Sequence, residues 1–222
     1  MISVVIVDDQ PLVREGLRVL IDATDDMVVV GEAGDGYAAI SQVRANTPAV
    51  ALIDIQMPVM DGLEAIAELR RHRSLDETRI IVLTTFGLDE YVLRALQEGA
   101  DGYLLKDTPP SRILDAIRVA AAGGSALSAD VLRRLVASST PWSEAEAARQ
   151  APTLTGREQD VLGLLAAGLS NPEIAAALGI GDATVKTYVS RLLTKFGVRS
   201  RVALAVAALG SGRSSHPETS RG

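Results

Sequence analysis

The chain has 222 residues, 47% of them hydrophobic and 23% charged, the composition of a globular protein with room for one large or two small domains. It holds no cysteine, which excludes disulfides and thiolate metal sites. The formal net charge of −6 conceals a split: residues 1–125 carry 20 acids and 11 bases (−9), residues 153–222 carry 5 acids and 8 bases (+3), and an acidic front with a basic rear points to two domains with different partners.

The opening Met1-Ile2-Ser3-Val4 has no basic n-region and runs into a strand that ends in acids, so no signal peptide is expected. No apolar stretch approaches the roughly 18 residues that a bilayer span requires. The expected address is cytoplasmic, with no membrane partner. Apolar runs predict strands at 3–8, 27–33, 50–54, 79–85 and 102–106, and amphipathic segments predict helices at 11–23, 35–46, 62–73, 89–98 and 109–122. Pro11 and Pro109 stand at first helical turns, where a missing N–H costs little, and Gly123-Gly124 ends the last helix. Five βα units with short loops predict a doubly wound, five-stranded parallel sheet with helices on both faces.

A weaker helix is predicted at 128–138, with Ser128 as its N-cap. Ser138-Ser139-Thr140-Pro141, Trp142 and polar, Ala-rich sequence to Pro152 read as linker. A second periodic block runs from Leu154 to Leu209. The segment from Gly210 to Gly222 is rich in Gly, Ser and Arg and reads as disordered. The expected division is therefore a front domain at 1–124, a linker with a short helix at 125–152, a rear domain at 153–210 and a tail at 211–222.

Chemistry gathers at the strand ends. Asp8-Asp9 close the run Val4-Val5-Ile6-Val7, Asp54 closes Ala51-Leu52-Ile53, Thr84 closes Ile80-Ile81-Val82-Leu83, and Lys106 closes Tyr103-Leu104-Leu105. In an open α/β sheet these C-terminal ends are where ligands bind. Any one of the acids is equally well explained as a helix cap or a solvated loop residue. Three carboxylates, a hydroxyl and an ammonium together describe a divalent cation and a phosphoryl group. Mg²⁺ takes oxygen ligands and keeps several waters, which suits two or three carboxylates. Gly31, Gly34 and Gly36 have the wrong spacing for a dinucleotide fingerprint. A haloacid-dehalogenase-type phosphatase places a second Asp two residues after its nucleophile, where this chain has Gln56, and remains a distant alternative.

Asp8-Asp9, Asp54-Ile55-Gln56-Met57-Pro58 with Asp61-Gly62, Thr84, and Tyr103-Leu104-Leu105-Lys106 resemble the receiver domain of bacterial two-component response regulators, over residues 2–122. The resemblance implies a flavodoxin-like sheet in which Asp54 accepts a phosphoryl group from a sensor histidine kinase. It further implies that Asp9, Asp54 and the backbone carbonyl of Gln56 ligate Mg²⁺ with Asp8 assisting. Lys106 and Thr84 would hold phosphoryl oxygens, and Tyr103 would be the switch aromatic that turns inward when Thr84 moves.

The rear block reads as four helices forming a small all-α domain. Thr155 and Glu158 make a capping box, and Gly168 closes the first helix. Ser170 caps a short second helix, Pro172 to Leu178, that Gly179 ends. Asp182 is expected to cap a third helix to Phe196, and Arg199 to Leu209 makes the fourth. In the third helix Val185, Val189, Leu192 and Phe196 form a core stripe. Thr187, Ser190, Arg191 and Thr194, flanked by Lys186 and Lys195, make a polar face with no acid after Asp182. A short helix, a tight turn and a longer basic helix are the helix-turn-helix arrangement.

Leu154-Thr155-Gly156-Arg157-Glu158, Leu169-Ser170-Asn171-Pro172-Glu173-Ile174-Ala175 and Thr184-Val185-Lys186 resemble the LuxR-type DNA-binding domain, and the whole chain resembles a NarL/FixJ-type response regulator. The resemblance implies that Lys186, Thr187 and Ser190 face base edges of double-stranded promoter DNA, and that Thr184, Arg191 and Lys195 hold phosphates. Val202, Leu204, Ala205 and Ala208 would pair with a second copy in a homodimer formed on activation. Tyr188 stands where relatives often carry His or Asn, and Gly181-Asp182 where Ser-Glu is frequent. The expected function is a phosphorylation-controlled transcription regulator that turns over no external substrate. Two alternatives stand beside it: a constitutive DNA binder whose front domain only dimerises, and a phosphate sink with an inert rear domain.

Overall fold

The computed structural model describes residues 1–75, 77–85, 89–127 and 152–210. The chain divides into two compact units after Leu127. The front unit alternates strand and helix: β1 (Ile2–Val7), α1 (Pro11–Asp22), β2 (Met27–Ala33), α2 (Gly36–Asn46), β3 (Val50–Ile53), α3 (Gly62–Leu69), β4 (Arg79–Thr84), α4 (Asp89–Glu98), β5 (Gly102–Leu105) and α5 (Pro110–Ala121). All five strands are parallel, in the order β2-β1-β3-β4-β5. The strand order reverses between β1 and β3, and ligands of such sheets bind at that crevice, beyond the carboxyl ends of the strands. Asp8, Asp9 and Asp54 follow those two strands.

Continuous apolar runs form strands here because both faces of the sheet are covered. Val4, Ile6, Leu52, Ile81 and Leu83 share a core with Leu17 and Ile21 of α1 and Ile113 and Ile117 of α5. The alternating residues Val5, Val7, Ile53, Ile80 and Val82 are equally buried, as are Val43 of α2, Ile66 and Leu69 of α3 and Leu96 of α4. Each fully buried aliphatic side chain contributes about 1.5–3 kcal/mol relative to exposure, and the innermost strands consist of little else.

Local chemistry moved some boundaries. The last helix of this unit begins at Pro110, with Pro109 as its N-cap residue. The helix expected to reach residue 73 stops at Leu69, and a 3₁₀ turn at Arg73–Leu75 follows. Arg70 is the C-cap of α3, and its guanidinium bonds Asp101 (2.7 Å) and the carbonyls of Thr78 (2.9 Å) and Gly99 (3.0 Å). Asp101 also accepts from Ile80 N–H at 3.0 Å, so one buried ion pair ties α3 to the entrances of β4 and β5. The unit continues past Gly124: Ala126 bridges Gly102, accepts from Tyr103 N–H and is buried.

In the rear unit the described helices are α6 (Gly156–Ala166), α7 (Asn171–Leu178), α8 (Asp182–Phe196) and α9 (Arg201–Gly210). One core joins all four, through Val161 and Leu165, Ile174 and Ala175, Val185, Val189 and Leu192, and Leu204 and Ala208. The Thr155–Glu158 capping box forms as the sequence requires. Gly179 and Gly197 end α7 and α8 at φ +64°, the left-handed cap that glycine adopts without penalty. Gly181, not Asp182, is the N-cap of α8. Asp182 lies inside the first turn, where its charge suits the helix dipole and pairs with Lys186 at 3.5 Å. The expected helix at 128–138 and the tail at 211–222 lie outside the described residues. Among the described residues no helix is long and apolar enough to cross a membrane.

Candidate functional site

Three loops meet at the switch point. The first leaves β1: Asp8 accepts from Gln10 N–H at 2.9 Å, while its own carbonyl accepts from Arg14 Nη1 at 2.6 Å. The second leaves β3: Asp54 N–H donates to Val7 O at 2.9 Å, which places the Asp54 side chain beside the Asp8 turn. The third leaves β5: Lys106 N–H donates to Thr84 O at 2.8 Å, so the lysine and the threonine share one end of the sheet. Asp8, Asp54 and Thr84 are buried, whereas Asp9 is exposed.

Lys106 reaches into this cluster. Its Nζ donates to Asp8 Oδ2 at 2.5 Å and to Asp54 Oδ2 at 2.8 Å. Burial pulls its pKa down, and the hydrogen bonds to Asp54 and Asp8 outweigh burial, so the ammonium is held charged more firmly than usual. Asp8 shifts upward, chiefly through burial, against the opposing bonds from Lys106 and Gln10. Asp54 Oδ1 is buried and makes no hydrogen bond, and an unsatisfied buried acceptor costs about 1–3 kcal/mol. Carboxylate oxygens of Asp8, Asp9 and Asp54 lie within 4.8 Å of one another. Three acids facing one ammonium leave an excess of negative charge and an open acceptor, which fits a divalent cation with oxygen preference.

The loop after Asp54 is built for close approach. A Cβ on Gly62 would stand 2.0 Å from Asp54 O, so only glycine lets α3 begin against the loop that leaves β3. Gly62 N–H donates to Ile55 O at 2.8 Å. Asp61 caps the helix in a reciprocal box with Glu64. The Asp61-Gly62 pair thus has two structural jobs that the sequence alone does not separate. Gln56 sits in this loop, exposed. Val59 holds φ +71°, a left-handed conformation that a β-branched residue rarely adopts.

Tyr103, at the register position beside Val82 of β4, is only 5% exposed. Its ring is inside the unit. Burial first, then the charges of Asp54 and Tyr91, push its hydroxyl up to about 12. The phenol is therefore neutral at any ordinary pH.

On the rear unit, α8 turns Val185, Val189 and Leu192 into the core and leaves Thr184, Lys186, Thr187, Ser190, Arg191 and Thr194 on its outer side. Thr187 and Thr194 bend their hydroxyls back to the carbonyls of Ala183 and Ser190. Tyr188 is half-buried and packs on the core. Lys195, expected among the phosphate contacts, has its ammonium on Glu158 Oε2 (2.8 Å) and Thr153 O (3.1 Å). Arg201 is buried, with Nη1 on Asn171 Oδ1 at 2.7 Å and Nη2 on the carbonyl of Leu169. That anchor joins α9 to the start of α7, and no local pattern in the sequence marks either residue for it.

Val202, Leu204, Ala205 and Ala208, expected to meet a second copy, are buried within one. Leu204, Ala205 and Ala208 complete the core of the rear unit itself. Four short helices need that apolar face to close their core, so those side chains are not a free dimer surface.

Residues 4–118 match the response regulator receiver domain, and residues 152–208 match the luxR family of bacterial regulatory proteins. An uncharacterized transcriptional regulatory protein of Bacillus subtilis (strain 168), YxjL, is 43% identical over 213 residues, 95% of this chain and 96% of the relative. The nitrate/nitrite response regulator protein NarL of Escherichia coli (strain K12) is 41% identical over 204 residues, 92% of this chain and 93% of its own. Among solved structures, RcsB, seen as two dimers bound to two parallel DNAs, is 27% identical with a TM-score of 0.54, covering 95% of this chain and 98% of RcsB.

Proposed function

The chain belongs to the two-component response regulators that join a receiver domain to a luxR-family DNA-binding domain, and on that premise we propose how its residues divide the work. The protein is a phosphorylation-controlled transcription regulator. Asp54 is the phosphoacceptor, and the observation that carries this is its buried, unpartnered Oδ1 beside an Oδ2 held by Lys106. The donor is a phosphohistidine of a sensor kinase: the P–N bond breaks with its electron pair going to the imidazole, and a P–O bond forms to the Asp54 carboxylate. A loose phosphoryl transition state needs mainly positioning and charge neutralisation. Lys106 and Thr84 supply both at the oxygens that carry the charge. Asp8, Asp9 and Asp54, with the backbone carbonyl of Gln56, would hold Mg²⁺, whose contribution is to neutralise the phosphoryl oxygens.

The switch runs through Thr84 and Tyr103. Lys106 already holds Asp54; once a phosphoryl group there engages Thr84 as well, the Tyr103 ring is held in its inward position beside β4. Phosphorylation shifts populations only by its differential stabilisation of the two states, and a tenfold shift requires about 1.4 kcal/mol. The receiver spans 1–127, where the first compact unit ends, with a linker to 152 and the DNA-reading domain at 153–210. Lys186, Thr187 and Ser190 face base edges, and Thr184 and Arg191 hold phosphates. Activation produces a homodimer whose two-fold axis matches paired half-sites.

The test is duplex binding by the full chain, with a duplex selected by the chain from a random-sequence pool, before and after treatment with Mg²⁺ and a small phosphodonor. Wild-type affinity should rise about tenfold or more, and Asp54→Ala should not respond. Equal affinity in wild type before and after treatment, with the phosphoryl group shown to be attached, would contradict the proposal.

A further inference from the structure

We propose that Lys195 is a positioning residue: clamped by Glu158, it seats the DNA-facing helix α8 on α6 and does not hold a phosphate. The inference rests on the DNA-reading assignment of α8 above. Its ground is the set of bonds the ammonium already makes. Lys195 Nζ donates to Glu158 Oε2 at 2.8 Å and to Thr153 O at 3.1 Å, which uses two of its three protons on the segment that opens α6. The same Oε2 accepts from Thr155 N–H at 2.8 Å and Thr155 Oγ1 at 3.1 Å. Glu158 thus closes the α6 capping box and the α8 clamp with one oxygen.

The two ends of the pair differ in exposure. The Glu158 side chain is 6% exposed and that of Lys195 36%. Lys195 first, then Thr155, holds the Glu158 carboxyl down to about 2. Swinging the ammonium out to a phosphate would leave the Glu158 carboxylate with only its two Thr155 bonds, and that loss opposes the movement. Lys186 is the contrast: its partner, Asp182, lies one turn away on the same helix, and both are about half exposed, so exchanging Asp182 for DNA costs little.

At 100° per residue, Lys195 stands about 140° from Ser190 and about 180° from Lys186, away from the base-facing side chains, but only about 20° from Thr184 and 40° from Arg191. Its place on the helix is therefore compatible with either role, and the bonds to Glu158 and Thr153 decide between them. Its reach spans 37 positions back to Glu158, so it fixes the distal end of α8 against α6. The N-terminal part of α8 keeps Thr184, Lys186 and Thr187 exposed for DNA. A recognition helix anchored at one end presents the other at a fixed angle, and that angle decides which side chains reach base edges.

Salt dependence separates the two roles. Each phosphate neutralised by a cation contributes about 0.9 to the slope of log K against log salt concentration. The phosphorylated full chain is titrated with its selected duplex over a range of salt, below the melting midpoint of each variant. The variants are Lys195→Met, Glu158→Gln, the double variant Lys195→Met with Glu158→Gln, and Arg191→Ala as the phosphate-contact control. A clamp lowers affinity about tenfold in both Lys195→Met and Glu158→Gln, leaves the salt slope of both at the wild-type value, and costs the double variant less than the sum of the two single losses.

The control should lose about one unit of slope. Should Lys195→Met lose that unit as well, while Glu158→Gln binds as well as wild type or better, Lys195 is a phosphate contact and the clamp is refuted. Unchanged affinity and slope in both single variants refutes it equally. A wild-type chain that binds no duplex overturns the DNA-reading assignment itself, and the clamp with it, a result distinct from the two before.

Discussion

Lys106 gives one ammonium to two buried carboxylates, and Asp54 is left with an oxygen unpaired. Asp8 is pushed up by burial despite bonds from Lys106 and Gln10, and Asp54 retains a bare Oδ1. Two like charges about 4 Å apart repel by roughly 4 kcal/mol at an effective dielectric near 20, so the cluster is primed for a cation. The expected consequence is a stabilising response of the protein to Mg²⁺. A ligand bound only by the folded state adds about 2.7 kcal/mol at a hundredfold excess over its Kd. Thermal unfolding followed with and without Mg²⁺ should show a higher midpoint in wild type. Asp9→Asn changes an exposed side chain and should leave the metal-free midpoint in place while removing most of the shift. An undiminished shift in Asp9→Asn would remove that residue from the cation site.

At the scale of elements, the strands and helices are legible in the sequence because each rests on a local signal. Apolar runs give the strands, period 3.6 gives the helices, and Thr155–Glu158, Gly179 and Gly197 punctuate them. What the sequence conceals depends on partners far along the chain. Glu158 reads as a cap, and nothing local shows that Lys195 also binds it. Arg70, at the end of α3, is bound to Asp101, 31 positions on. The family resemblance implies that the apolar residues of α9 meet a second copy, and here Leu204, Ala205 and Ala208 lie in the core of their own unit, because a sequence pattern records that a face is buried, not by which chain. Glu158 carries a pH consequence for the rear unit. Its folded value of about 2 lies below its ordinary 4.5. The stability it contributes is therefore complete above about 4.5 and disappears as pH falls through about 2. Thermal midpoints of wild type should fall over that window, and those of Glu158→Gln should fall less; parallel decline in the two would contradict the assignment.

For the molecule as a whole, charge and chemistry divide along the chain. The acidic front unit gathers Asp8, Asp9, Asp54, Thr84 and Lys106 at the ends of four strands of the sheet, and the basic rear unit exposes one face of α8. That these residues gather is legible in the sequence because strand C-terminal ends are fixed by the apolar runs that precede them. The roles of Gly62 and Arg201 are not, since close approach and burial exist only in the folded chain. The account depends on Asp54 being the residue that carries the phosphoryl group. Its most direct test is the intact mass of wild type and Asp54→Asn after incubation with Mg²⁺ and a small phosphodonor. Wild type should gain one phosphoryl group and Asp54→Asn none; the same gain in both would show that another residue is the acceptor and contradict the account at its centre.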